Sequence, residues 1–251
     1  MAQRIQILNT KIDNLSMAET LQRIELAIAQ NNPLHHTVVN AGKIVAMQKN
    51  EQLRKSVNEA DLINADGQAV IWAAKLLNQP LKERVAGIDL FDNLVKMAHQ
   101  KAYSVYLLGA QEEVVSALSE KFKQTYNANV IAGYRNGYFS QEQEKQIVKD
   151  IVSTKAKMLF VAISSPKKEI FLHTHREALK QIPFIMGVGG SFDVLAGKTK
   201  RAPKWMQKSG LEWFYRFLQE PKRMWKRYLI GNSKFIGLVV KAKFNFNKKN
   251  T

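Results

Sequence analysis

The chain has 251 residues, 45% hydrophobic and 24% charged, enough to bury a large core as one big domain or as one domain with a small appendage. It contains no cysteine, which excludes disulfide scaffolds, thiolate zinc sites and cysteine nucleophiles. Lys and Arg number 38 against 21 Asp and Glu, a formal net charge of +17, and that excess points to a polyanionic partner: a phosphate-bearing substrate, nucleic acid or an anionic membrane.

Short apolar runs alternate with longer stretches of helical periodicity. Strands are predicted over residues 5–8, 37–39, 62–64, 104–108, 130–133, 158–163 and 184–188. They are rich in Val, Ile and Leu without clean alternation, as expected where both faces of a strand are buried. Ser16 followed by Glu19 reads as a capping box that opens a helix over 17–30. Further helices are predicted over 68–77, 88–100 and 111–126. Ser140 with Gln143 opens another that runs to Ser153, and Pro166 suits the first turn of one that runs to Lys180. This order implies an α/β, Rossmann-like fold with a mostly parallel sheet flanked by helices. In such sheets ligands bind beyond the carboxyl ends of the strands, which directs attention to Asn40, Asp66 with Gly67, Gly109, Ser164 with Ser165, and Gly189 with Gly190.

The charge is unevenly placed. Residues 198–251 carry 15 basic and 2 acidic side chains, whereas residues 1–197 carry 23 and 19. Two regions are expected: an α/β domain over 1–197 and a basic, aromatic helical appendage over 198–251. Within the appendage Leu211, Phe214, Leu218, Trp225 and Tyr228 recur near helical spacing, broken at Glu220-Pro221, so two amphipathic helices are expected, the second starting at Pro221. Basic, aromatic helices of this kind suit an anionic membrane interface, and nucleic acid would favour the same side chains. The first apolar stretch is too short for a signal peptide and no run approaches the ~20 apolar residues that span a bilayer. The expected location is therefore the cytoplasm, with surface attachment to a membrane.

Several residues have the character of a reactive site. Asp66 follows a buried strand and precedes a helix; it reads either as a plain helix cap or as a carboxylate that faces the cleft and takes a proton from a hydroxyl nucleophile. Arg84, just before a helix, suits a diphosphate, or else a surface ion pair with Glu83 or Asp89. The turn Gly187-Val188-Gly189-Gly190 would let backbone approach a nucleotide closely, or is simply a tight turn. No dinucleotide fingerprint, phosphate-binding loop or serine-hydrolase elbow occurs. The five His lack metal-ligand spacing, and no Asp-x-Asp is present to hold a metal against a diphosphate. Neither a metal nor a cofactor is expected.

Taken in order, these motifs resemble the WecG/TagA/CpsF family of bacterial glycosyltransferases over nearly the whole chain. The resemblance rests on Val39-Asn40-Ala41, Asn64-Ala65-Asp66-Gly67, residues 83–89, Ser165-Pro166-Lys167-Lys168-Glu169 and Gly187-Val188-Gly189. It is densest in Arg201-Ala202-Pro203-Lys204-Trp205, Gly210-Leu211-Glu212-Trp213, Glu220-Pro221-Lys222-Arg223 and Arg227-Tyr228. It implies an inverting, metal-independent hexosyltransferase at the inner face of the plasma membrane. Such an enzyme moves N-acetylmannosamine, or its uronic acid, from a UDP-sugar onto an undecaprenyl-diphosphate-linked GlcNAc in teichoic acid, common antigen or capsule synthesis. The family's base aspartate falls on Asp66 and a functional arginine on Arg84, as catalytic residues. Substrate contacts fall on Asn40, Gly67, Gly109, Lys168 and Gly189. The appendage arginines, Arg216, Arg223 and Arg227, are expected to close over the site. This sequence departs from the family pattern at Val38, Ala162, Ser164 and Lys168, where Lys168 replaces the usual Gln and bears on donor identity. The expected partners are the UDP-sugar, the lipid-linked acceptor and an anionic membrane surface, with no nucleic acid, and a homo-oligomer is left open. The alternative is a basic nucleic-acid-binding or UDP-sensing protein without transferase activity.

Overall fold

The computed structural model describes residues 3–225 and 230–249. In chain order the elements are β1 (Arg4–Ile7), β2 (Thr10–Asp13), α1 (Met17–Ala29), β3 (Leu34–Val39), α2 (Ala41–Lys49), α3 (Glu51–Asn58), β4 (Leu62–Ala65), α4 (Gln68–Leu76), α5 (Gly87–Gln100), β5 (Val105–Gly109), α6 (Glu112–Thr125) and β6 (Ile131–Arg135). They continue with α7 (Glu144–Ser153), β7 (Met158–Ala162), α8 (Lys167–Thr174), α9 (Arg176–Leu179), β8 (Phe184–Gly187), α10 (Ser191–Leu195), α11 (Lys204–Lys208), α12 (Glu212–Gln219), α13 (Pro221–Trp225) and α14 (Gly231–Lys249).

Six strands form one all-parallel sheet in the order β4-β3-β8-β7-β5-β6. The fold is α/β and Rossmann-like, as the alternation of elements implied. Strands β3, β4, β5, β7 and β8 are buried along their whole length, which is why their sequences show apolar runs rather than alternation. Side chains at even positions of β3, such as Leu34, face α1, α5, α6 and α10, and Phe91, Phe160, Phe184 and Phe192 fill that layer. Odd positions such as Val39 face the opposite layer, with α2, α3, α4 and α14 over one half and α7, α8 and α9 over the other.

The first predicted strand has a different place. Residues 4–7 pair with β2 as a separate antiparallel hairpin, Ile5 opposite Ile12 and Ile7 opposite Thr10, so the main sheet has six strands and not seven. The hairpin guards the open edge of β4. The buried Asp13 carboxylate accepts a hydrogen bond from Ile63 N at 2.8 Å and is itself held by Arg4 at 2.8 Å. An edge N–H that would otherwise remain unpaired is thereby satisfied.

Local signals account for several boundaries. Both halves of the Ser16/Glu19 capping box are made, and the Ser140/Gln143 box opens a 3₁₀ turn that leads into α7. The helix expected to run from Pro166 to Lys180 is divided at His175, whose ring reaches Glu144 at 2.9 Å. Helices α2 and α3, absent from the sequence reading, are capped by Asn40 and Asn50, each accepting from the backbone three residues on. The two short amphipathic helices expected in the appendage are α12 and α13, the second starting at Pro221. Beyond them α14 returns to the body and buries Phe235 and Val239 against α2.

Candidate functional site

Because all six strands of the main sheet run in one direction, their carboxyl ends share one edge. The register fixes which residues meet there. Val39 lies opposite Ala65, so Asn40 and Asp66 leave the sheet side by side, with Asp66 N donating to Val39 O at 2.9 Å. Val161 lies opposite Gly187, and Gly109 opposite Ala162. Asn40, Asp66, Gly67, Gly109, Ser165 and Gly189 therefore border a single edge, at the place where a ligand of an open α/β sheet belongs.

Asp66 does not cap α4. That role falls to the backbone of Gly67, and no side chain completes it. Its Oδ1 instead accepts from Gly87 N at 3.0 Å, at the first turn of α5. No other hydrogen bond or ion pair to the Asp66 carboxylate is present among the described residues, which leave its second oxygen without a partner. Burial pushes the carboxyl up from its ordinary pKa, and the Gly87 hydrogen bond and the nearby Arg84 only partly offset this. A carboxylate destabilised in its charged form has a greater tendency to take a proton.

Gly67 sits where it does because a Cβ there would come within 3.2 Å of the Asn40 Cβ. Asn40 spends its Oδ1 on Lys43 N, at 3.0 Å, and keeps its amide N–H groups to donate. At Gly109, φ is +123° and a Cβ would lie 2.6 Å from the Ala162 carbonyl. Close packing of β5 on β7 thus demands glycine there.

Arg84 pairs with neither Glu83 nor Asp89. Glu83 accepts from Met17 N at 2.8 Å, and Asp89 accepts from both terminal guanidinium nitrogens of Arg201, at 2.6 and 2.8 Å. The Arg84 partner is Glu212 of α12, at 3.3 Å, and Arg201 touches the other Glu212 oxygen at 3.5 Å. One acid of the basic appendage thus lies between an arginine of the cleft and an arginine of its own segment.

Arg216, on the same helix, reaches the glycine turn: its terminal nitrogen lies 2.6 Å from the place a Gly190 Cβ would occupy. Of the other two appendage arginines expected to close over the site, the backbone of Arg223 belongs to α13, and its side chain and all of Arg227 lie outside the described residues.

Beneath the same turn is a buried charge cluster that the sequence did not disclose. Glu169 is ion-paired with Lys43 at 2.8 Å and with Lys168 at 3.5 Å, all three side chains being buried. Lys43 also donates to Val38 O at 2.6 Å. Burial would push the Glu169 carboxyl up, but the two ammonium groups, Lys43 foremost, outweigh it and hold the pKa at about 2. Burial brings the Lys168 ammonium down to about 8 against the pull of Glu169. The Lys168 stem runs under Gly187, where a Cβ would come within 2.7 Å of it, and its Nζ lies 3.8 Å from the equivalent point at Gly189. Gly187 and Gly190 thus make room for a cation below the turn and a cation above it. The sequence placed Lys168 near substrate; nothing in it joined Lys43 to Glu169, positions so far apart in the chain.

Architecture and cleft together place the molecule in the open α/β class, with its ligand site on the carboxyl edge of the sheet. Within that class, the chain belongs to the glycosyl transferase WecG/TagA/CpsF family, whose profile matches residues 5–249. It is a hexosyltransferase. Over 196 residues, 78% of this chain and 74% of the relative, it is 37% identical to an N-acetylglucosaminyldiphosphoundecaprenol N-acetyl-beta-D-mannosaminyltransferase of Bacillus spizizenii.

Proposed function

We propose that the protein transfers an N-acetylmannosamine-type sugar from a UDP donor to GlcNAc carried on undecaprenyl diphosphate, with inversion at the anomeric carbon. The acceptor and the sugar follow the name of the Bacillus spizizenii relative; UDP as carrier follows from the resemblance of the motifs. The observation that carries the reading is the Asp66 carboxylate. It is fixed through one oxygen, without a partner among the described residues at the other, raised in pKa by burial, and set beside Asn40 at the carboxyl edge.

Asp66 accepts the proton of the acceptor hydroxyl as that oxygen attacks C1 of the donor from the face opposite the nucleotide. The bond from C1 to the diphosphate oxygen breaks with its electron pair, and UDP leaves with added negative charge. Arg84 near Asp66, and Arg216 and Lys168 at the glycine turn, supply positive charge to meet it. Arg223 and Arg227 belong to the same proposal. The appendage attaches the enzyme to the anionic inner face of the plasma membrane and closes over the cleft, excluding water from the donor. No described helix is long and apolar enough to cross a bilayer, so attachment is at the surface.

Asp66→Asn is expected to bind UDP normally, by calorimetry, while turnover falls at least ~100-fold, the usual scale for loss of a general base. Turnover near that of the wild type would remove Asp66 from the role. Turnover that persists in EDTA is expected, since cations of the chain meet the leaving charge.

A further inference from the structure

The exposed apolar side chains are not scattered. Among the described residues the appendage carries ten large ones between Trp205 and Phe244, and the body carries Leu26, Tyr134, Tyr138, Trp72 and Leu76. Trp72 and Leu76 are an i,i+4 pair on α4, 57% and 49% exposed, with exposed Lys75 beside them. They form one outward stripe on a helix whose other face, Val70, Ala73 and Ala74, is buried.

The appendage meets α4 at both ends. Gly210, with φ +76°, lies where a Cβ would strike Gln68 at 2.7 Å, and Lys243 of α14 reaches Asn78, just past the helix end, at 3.5 Å. Next to its buried Phe235 and Val239, α14 carries a second stripe, Ile236, Val240 and Phe244, that is exposed, with Lys234 and Lys241 exposed beside it. Two neighbouring helices, one from the body and one from the appendage, therefore each show an unpaired apolar stripe edged with lysine.

We propose that α4 is a membrane-docking element of the catalytic body: Trp72 and Leu76 enter the headgroup region of an anionic bilayer alongside α14. The inference rests on the proposed lipid-linked acceptor and adds a contact outside the appendage. Charge selects the occupant. A second copy docked through this face would oppose two segments that each carry 15 basic and 2 acidic residues, whereas anionic lipid neutralises them. Tryptophan and lysine are the residues that settle at such an interface, the ring at headgroup depth and the ammonium in water. Position gives the contact its purpose. The helix begins two residues after Asp66, so at about 1.5 Å of rise per residue Trp72 lies on the order of 10 Å from the base. Docking α4 would fix the height of Asp66 above the bilayer at the reach of a sugar held on a lipid diphosphate.

The test uses the full chain with Trp72→Ser and Leu76→Ser, singly and together, and Trp72→Phe as the conservative control. Vesicles contain phosphatidylglycerol, or phosphatidylcholine alone. The double variant is expected to partition onto the anionic vesicles at least ~10-fold more weakly than wild type, with Trp72→Phe close to wild type and an unchanged thermal midpoint, since both side chains are exposed. If the double variant loses thermal stability, the single variants carry the same readout. Turnover on a short-chain, water-soluble acceptor should be unchanged, while turnover on long-chain acceptor in vesicles falls. Unchanged partitioning overturns the proposal, as does a wild-type dimer that the variant dissociates without loss of vesicle binding. Failure of every form to transfer sugar to either acceptor would instead defeat the transferase reading, and would leave the vesicle result standing on its own.

Discussion

The body and the appendage handle charge in opposite ways. In the body, 23 basic residues face 19 acidic ones, and, Asp66 of the cleft aside, its buried carboxylates are paired inside the protein: Asp13 with Arg4, and Glu169 with Lys43 and Lys168. In the appendage 15 basic residues have 2 acids, and one of these, Glu212, is turned to Arg84 of the cleft. The apolar residues divide the same way, packed inside the sheet layers in the body and largely displayed in the appendage. The contrast sets a body whose charges are mostly answered within it against an appendage whose charges and large apolar side chains are mostly left on display.

The largest expected effect lies in the body. Glu169→Gln removes the counter-charge of two buried lysines and should destabilise the fold by about 3–5 kcal/mol, the usual result of breaking one side of a buried ion pair. Denaturant titration would show it as a fall in the midpoint at unchanged slope. A loss under about 1 kcal/mol would mean that the body does not depend on internal pairing, and the contrast with the appendage would break.

The same carboxylate predicts an acid limit. Its pKa is about 2 in the fold against an ordinary 4.5, so the unfolded chain binds the extra proton first. The stabilisation is complete above about pH 4.5 and disappears as pH falls toward 2. Its size is on the order of 3 kcal/mol. Thermal midpoints of wild type and Glu169→Gln should therefore converge over that window. Parallel curves would place the acid sensitivity elsewhere.

The sequence showed the fold well where a local pattern decides the outcome. Continuous apolar runs located β3, β4, β5, β7 and β8, and the Ser16/Glu19 box opened α1 where expected. It misled at residues 5–8, because a short Ile-rich run does not name its partner. The alternating burial of Arg4, Ile5, Gln6 and Ile7 was nevertheless present as alternating polarity, the sign of a strand covered on one face. The stretch holding α2 and α3 has few apolar residues in register, and Asn40 and Asn50, which open these helices, have other common uses in turns. The places of Asp66, Asn40 and Gly189 just beyond buried strands were legible because a position after a buried strand is a local property. The Lys43–Glu169 pair was not, because it depends on strand order, which brings β3, β8 and β7 together across more than a hundred residues. The Arg84–Glu212 contact was hidden because it depends on where α12 packs against the body, 128 positions further along the chain.

The smallest effect tests the seam between the two regions. Arg84 and Glu212 are partly exposed, at 19% and 27%, and 3.3 Å apart, so the pair should contribute no more than about 1 kcal/mol. Glu212→Gln is therefore expected to leave the thermal midpoint almost unchanged, with α14 still anchored through Phe235 and Val239. Its consequence should appear in nucleotide binding. If Arg84 binds the diphosphate as proposed, the ligand competes with Glu212 for its guanidinium in the wild type and does not in the variant. UDP should bind more tightly, by at most about fivefold, the equivalent of that 1 kcal/mol. The gain should shrink as salt is raised, because the competing charges are open to solvent. Weaker binding would show the reverse arrangement, in which the Glu212 carboxylate holds Arg84 in place for the diphosphate and the appendage helps to build the cleft before any ligand arrives.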